Sequence, residues 1–207
     1  MKKKILTVAL VVALLCTCFA GTYAYLTDTH AQKNTFTTGN VLITLDEAKV
    51  KLDEKTGNLV ADGTVRITDG DEEQSYHLYP AMTVLKDPTI TVDAESEDAW
   101  VAAKITFEGY NAYELLSGGV LKTDAVTVVK VGNVVYVYVN VAKTAKDKVV
   151  LFDTLTVPHT WGNAELANLN KMNITVEAYA VQTNGFADCV TAMQTAFSGA
   201  FPAAAKP

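Results

Sequence analysis

The segment spanning residues 125–141 constrains the fold most strongly. Two runs rich in valine flank the dipeptide Gly132-Asn133, and this pattern is typical of an antiparallel hairpin closed by a two-residue turn. Apolar and polar residues also alternate in residues 99–107 and 173–182. Many short strands separated by turn signals, without regularly alternating strands and helices, predict a mainly β protein that forms an antiparallel two-sheet sandwich.

Alternation also assigns the faces of the predicted strands, because successive side chains of a strand point to opposite sides. In residues 99–107 the expected core-facing residues are Val101, Ala103, Ile105 and Phe107. In residues 173–182 one side is formed by Ile174, Val176, Ala178 and Ala180. Further strands are predicted at residues 36–52 (broken near Asp46-Glu47), 64–67, 76–80, 89–92 and 149–157, with turns at residues 55–58 and 61–63.

A few short helices complete the predicted architecture. Residues 113–116 suit one helical turn and residues 165–169 a short helix. Residues 188–197 carry apolar side chains at helical spacing, with Asp188 as a candidate N-cap. We expect Cys189 to be buried on this last helix as a small apolar residue.

The N-terminus has the pattern of a secretory signal peptide. Three lysines, Lys2 to Lys4, precede an apolar run from Ile5 to about Leu15, and small residues follow around Ala20. The apolar run is shorter than the roughly 20 residues that a membrane-spanning helix requires. An uncleaved N-terminal anchor is the alternative interpretation.

The sequence after this run follows a second pattern. Residues 21–28 read Gly-Thr-Tyr-Ala-Tyr-Leu-Thr-Asp, and residues 34–39 read Asn-Thr-Phe-Thr-Thr-Gly. They resemble the export segment of the TasA/camelysin family of secreted proteins from Gram-positive bacteria, in which G-T-[YW]-A-[YAF]-[FL]-x-D precedes N-x-F-x-[AT]-G. The resemblance covers about the first 45 residues, and a single Gly21 stands where the family often has two or three glycines.

The resemblance implies a processing site, a fold and a function. A SipW-type signal peptidase would cut after Ala24 and leave Tyr25 as the first mature residue, with Ala20 as the competing site. The implied fold is a jelly-roll-like sandwich, and the implied function is that of a secreted structural protein of the extracellular or biofilm matrix. Such subunits assemble into fibres by strand donation, with themselves or with paralogous subunits as partners.

These expectations divide the chain into four parts. Residues 1–24 are the signal peptide, residues 25–34 a mobile N-terminal arm, residues 35–200 the β-sandwich domain and residues 201–207 a disordered tail. The arm is polar and lacks a hydrophobic period, but an extended segment can pair through its main chain alone. The residues expected to take part in assembly are Tyr25, Leu26, Thr27, Asp28, Thr29 and Phe36.

Composition limits the partners of the mature chain. Removing residues 1–24 leaves 183 residues, and removing their three lysines leaves 14 basic against 23 acidic residues, a net charge of −9. We expect nucleic acid and anionic lipid to be repelled on average, and no stable membrane span remains after cleavage. Cys16 and Cys18 leave with the signal peptide, so Cys189 has no partner for an intramolecular disulfide.

No catalytic or cofactor-binding pattern is visible. The three histidines, His30, His77 and His159, form no H-E-x-x-H motif, and the acidic residues 69–73 lack the spacing of an EF-hand. We therefore predict no cofactor, no metal site and no enzymatic activity. Two alternatives stay open: a camelysin-like secreted zinc metalloendopeptidase, and an accessory or anchor subunit of a matrix fibre.

Overall fold

The computed structural model describes residues 40–68, 77–169 and 172–202. The predicted signal peptide, the arm, Phe36, the acidic residues 69–73 and residues 203–207 lie outside these ranges. The strands are β1 (Ile43–Leu52), β2 (Leu59–Thr68), β3 (Thr83–Leu85), β4 (Thr89–Val92), β5 (Ala99–Glu108), β6 (Leu116–Ser117), β7 (Val126–Val131), β8 (Val134–Val139), β9 (Lys148–Val150), β10 (Thr154–Thr156) and β11 (Asn173–Gln182). The helices are a 3-10 turn (Tyr113–Leu115), α1 (Asn163–Leu169) and α2 (Cys189–Ala196).

The strands form two sheets, which confirms the predicted mainly β fold. Within the described ranges, the large sheet has seven strands in the order β6-β10-β3-β2-β1-β4-β9, and the small sheet has four in the order β11-β5-β8-β7. All pairs of these described strands are antiparallel except β2 and β3, which meet in parallel at Leu59 and Val84. The predicted hairpin is β7–β8, with Val131 paired to Val134 around the turn and Gly132 at a φ of 58°.

The main core lies between the two sheets. It includes Val84 and Ile90 of the large sheet and the four predicted residues of β5, Val101, Ala103, Ile105 and Phe107. These four residues are buried because alternation turns every second side chain of β5 towards the large sheet. The same rule places Ile174, Val176, Ala178 and Ala180 of β11 against this core.

A second, smaller core covers the opposite face of the small sheet. Helix α2 packs there with Phe201 against Ala102 of β5 and Tyr138 of β8. The carboxylate of Asp188 accepts a hydrogen bond from the N–H of Thr191 at 2.8 Å, which confirms the predicted N-cap, and Cys189 is buried as expected. Phe201, the first residue of the predicted disordered tail, is only 4% exposed, so it belongs to the folded body.

The prediction of one uninterrupted strand at residues 149–157 is wrong. This segment holds β9 and β10, which pair with β4 and β3 in one common register on either side of an interruption. Residues 151–153 in the interruption belong to no strand, and Leu151 and Phe152 are both fully buried there. The N–H of Leu151 donates to the carbonyl oxygen of Pro88, and the N–H of Lys86 donates to the carbonyl oxygen of Asp153. These two bonds connect residues 148–156 to residues 83–92 across the interruption.

Two other local predictions need correction. Residues 61–63 form no turn but lie within β2, where residues 62–65 bulge opposite Lys49. The irregularity of the β1–β2 pairing, between Ala48 and Val50, lies close to the break predicted near Asp46-Glu47. Residues 77–80 form no strand; Pro80 begins a turn in which Ala81 has a φ of 66°, because a proline has no N–H to donate to a strand ladder.

Candidate assembly edge

The point where the N-terminal segment joins the described body is fixed by hydrogen bonds. The carbonyl oxygen of Asn40 accepts from the N–H of Glu97, and that of Leu42 accepts from the N–H of Asp93, both at 2.9 Å. Residues 93–98 connect β4 to β5. The predicted cleavage residues Ala24 and Tyr25 and the other arm residues lie outside the described ranges, so their geometry stays a prediction.

Strand β11 ends at the same loop. The N–H of Thr183 donates to the carbonyl oxygen of Asp98 at 3.0 Å. The segment that carries Asn40 and the end of β11 therefore meet at residues 93–98. Asn40 therefore lies beside the end of the small sheet at which β11 ends.

One edge of β11 is free in the described part of the chain. β11 pairs with β5 in an unbroken register from Asn173–Glu108 to Gln182–Ala99. Because Thr183 and Asp98 form a hydrogen-bonded pair, the odd-numbered residues of β11 bond to β5 and the even-numbered residues direct their N–H and C=O groups away from it. No other described strand pairs with β11, so five residues present unpaired backbone groups: Ile174, Val176, Ala178, Ala180 and Gln182.

Among the described strands, β11 is the last strand of the small sheet, whereas β1 of the large sheet has a neighbour on each side. Across the core, β1 approaches β11 to within 8 Å between Cα atoms. On one side of β1, strand β4 is mostly buried, whereas on the other side no residue of β2 is buried. Leu52 shares its side of the β1–β2 ribbon with the core-packed Leu59, yet its side chain is 54% exposed.

Charges on β11 are balanced within the small sheet. Nζ of Lys104 lies 2.7 Å from Oε2 of Glu177 on the neighbouring strand, and the hydroxyl of Tyr179 donates to the other oxygen of Glu177 at 3.2 Å. The hydrogen bond from Lys104 lowers the pKa of Glu177, and the same bond raises the pKa of Lys104. β11 contains no lysine and no proline, the residues with which proteins commonly block exposed sheet edges.

The opposite edge of the small sheet is formed by β7, which does contain a lysine. The N–H of Asn140 donates to the carbonyl oxygen of Ala125, so the backbone groups of Val126, Val128 and Lys130 point away from β8. Lys130 leaves β7 on the core side, where its Nζ lies 3.4 Å from the centroid of the Tyr113 ring. An inward-pointing lysine is one of the known ways to block an edge strand. Sequence reasoning missed this difference, although the lysine of β7 and its absence from β11 were the available signal.

The histidines of the zinc alternative do not form a cluster among the residues that the structure describes. His77 precedes Pro80 outside any strand, and His159 lies in a turn before α1; His30 lies outside the described ranges. In residues 40–68, 77–169 and 172–202, no group of three or more His, Cys, Asp or Glu side chains is placed to hold a metal ion. The same residues contain no helix that is both long and apolar enough to cross a bilayer.

Comparisons with protein-family models, with curated proteins and with solved structures each gave no match.

Proposed function

We propose that this protein is a secreted structural subunit that polymerises into fibres of an extracellular or biofilm matrix by strand donation. The observation that carries the proposal is the edge of the ten-residue strand β11 that no other described strand covers and that lacks the lysine or proline that would block it. Unpaired N–H and C=O groups along such an edge accept an additional strand from another chain.

The N-terminal arm of one copy is the proposed donor, and the free edge of β11 in the next copy is the acceptor. Residues 25–39 span up to about 50 Å when extended, which suffices to leave one body and run along a neighbour. The polar sequence of the arm is compatible with this role because the pairing uses main-chain groups. Phe36 would supply an apolar side chain where the large sheet extends beyond β11.

Such a contact produces filaments because it is heterologous. The donor and the acceptor are different surfaces, so each bound copy presents the same pair of surfaces again and the chain of contacts does not close on itself. If the arm paired with β11 of its own chain, the product would be a monomer. The partner is a second copy or a paralogous subunit with the same free edge.

The secreted location is part of the proposal and is supported by the signal-peptide pattern of residues 1–24. The resemblance of residues 21–45 to the TasA/camelysin export segment supports processing by a SipW-type signal peptidase. The net charge of −9 left after cleavage favours solubility of the subunit before assembly.

The test compares a chain that starts at Tyr25 with one that starts at Asn34. Circular dichroism and thermal unfolding first establish that both are folded. Filament growth is then followed by light scattering and electron microscopy at equal protein concentration. We expect filaments only from the longer chain. Equal filament formation by the chain that starts at Asn34 would show that residues 25–33 are not the donor.

A further inference from the structure

We propose that Lys130 prevents β7 from pairing with β7 of a second copy, which leaves β11 as the edge of the small sheet that is open to another strand. The consequence for filament growth rests on the function proposed above. The blocking of β7 by Lys130 does not rest on it, because pairing between two β7 strands involves no residue of the N-terminal arm.

The backbone of β7 would otherwise suit pairing with itself. An antiparallel pair centred on Val128 places Val126 opposite the partner's Lys130, and the outward groups of Val126, Val128 and Lys130 would form six hydrogen bonds about a two-fold axis. On the outer face, Val129 and Val131 are 36% and 52% exposed. The pairing would bring the partner's β7 beside these two valines.

The side chain of Lys130 opposes this arrangement. It lies on the same side of β7 as Val126, which is buried against the core, so a second strand would place the partner's Val126 against it. Lys130 is held there by Glu114, with Nζ and Oε1 3.2 Å apart, while Lys122 lies 3.8 Å from the other oxygen of Glu114.

Two ammonium groups therefore share one carboxylate. The Lys130 side chain is 49% exposed, and water now solvates the charge that Glu114 does not balance. A second strand would remove part of this water without supplying a carboxylate, and burying an unbalanced charge is unfavourable. At β11 no such excess exists, because Lys104 and Glu177 balance each other.

The test replaces Lys130 in the chain that starts at Tyr25. Lys130→Val removes the charge and raises the strand propensity, and Lys130→Thr does the same with a polar side chain. The matched control is Lys122→Val, which removes the other lysine from Glu114 but lies in a turn outside β7. Mass is measured by light scattering, and filament width by electron microscopy.

We expect both Lys130 variants to gain a side-by-side association that the wild type lacks. Without filaments the mass of the folded variant doubles, and with filaments their width doubles. The readout therefore separates this inference from the proposed function. Folded Lys130 variants with the mass or width of the wild type would overturn the inference, as would the same gain in Lys122→Val.

Discussion

The N–H of Thr183 donates a hydrogen bond to the carbonyl oxygen of Asp98, with nitrogen and oxygen 3.0 Å apart. This single pair determines which residues of β11 bond to β5 and which face outward, because hydrogen-bonded pairs alternate along an antiparallel ladder. It also brings the end of β11 to the loop that holds Asn40. Asn40 and the end of β11 thus lie at one end of the sandwich.

Processing gives the first prediction. If the export segment is cut as its resemblance implies, N-terminal sequencing of the secreted chain should give Tyr25 as the first residue. A start at Gly21, after cleavage at Ala20, would mean that an ordinary signal peptidase processes the chain, and would remove the support that the resemblance gives to a matrix function.

The N-cap of α2 gives the second prediction. Asp188→Ala removes the acceptor for the N–H of Thr191 and should lower the free energy of unfolding by about 1 kcal/mol, the usual cost of losing such a cap. Urea unfolding measures the loss. Asp188→Asn keeps an oxygen acceptor and is the control; an equal loss in both variants would mean that capping is not the cause.

The small core beneath α2 gives the third prediction. Burial raises the pKa of Cys189 from 9.0 to about 12 and that of Tyr138 from 10.0 to about 12. The folded state keeps both groups neutral to a higher pH than the unfolded state does. Their contribution to the free energy of unfolding is therefore fully present below pH 9 and is lost as the pH rises towards 12. We expect the free energy of unfolding to fall over this interval.

Tyr138→Phe should reduce that alkaline loss. The Tyr138 hydroxyl is buried and makes no hydrogen bond of normal geometry to a described residue, although the Gln194 side chain is close enough to lower its pKa against the larger effect of burial. Its removal should therefore leave the stability at neutral pH nearly unchanged. Urea unfolding across the same pH interval measures both effects. A variant that loses stability at neutral pH would show that the hydroxyl has a partner.

Local patterns predicted the elements whose faces are set by alternation. The core-facing residues of β5, the β7–β8 hairpin and the cap of α2 follow from neighbours in sequence. The pair Asp62-Gly63 is compatible with either a turn or a bulge, and only the pairing with β1 decides between them. The interruption between β9 and β10 depends on residues 86–88, which lie more than sixty positions earlier in the chain.

These local patterns do not predict the order of the strands in a sheet. Whether β11 is an edge or a central strand depends on which distant segments pair with it, and its residues alternate in the same way in either case. The role of Lys130 was hidden for the same reason, because a lysine blocks an edge only if its strand lies at one. The edge of β11 could therefore be identified only from the pairing of strands, whereas the N-terminal arm is predicted by the sequence alone.

The central claim, that the free edge of β11 accepts the donor strand, is tested most directly by proline substitution at that edge. The N–H of Val176 points away from β5, so Val176→Pro removes an outward donor while keeping the ladder with β5, a position in which strands tolerate proline. Val128→Pro makes the same change at the outward edge of β7 and is the matched control. Filament growth is measured for both variants of the chain that starts at Tyr25, after circular dichroism has shown that they are folded. We predict filaments from Val128→Pro and from the wild type but not from Val176→Pro; filaments formed as readily by folded Val176→Pro would contradict the account.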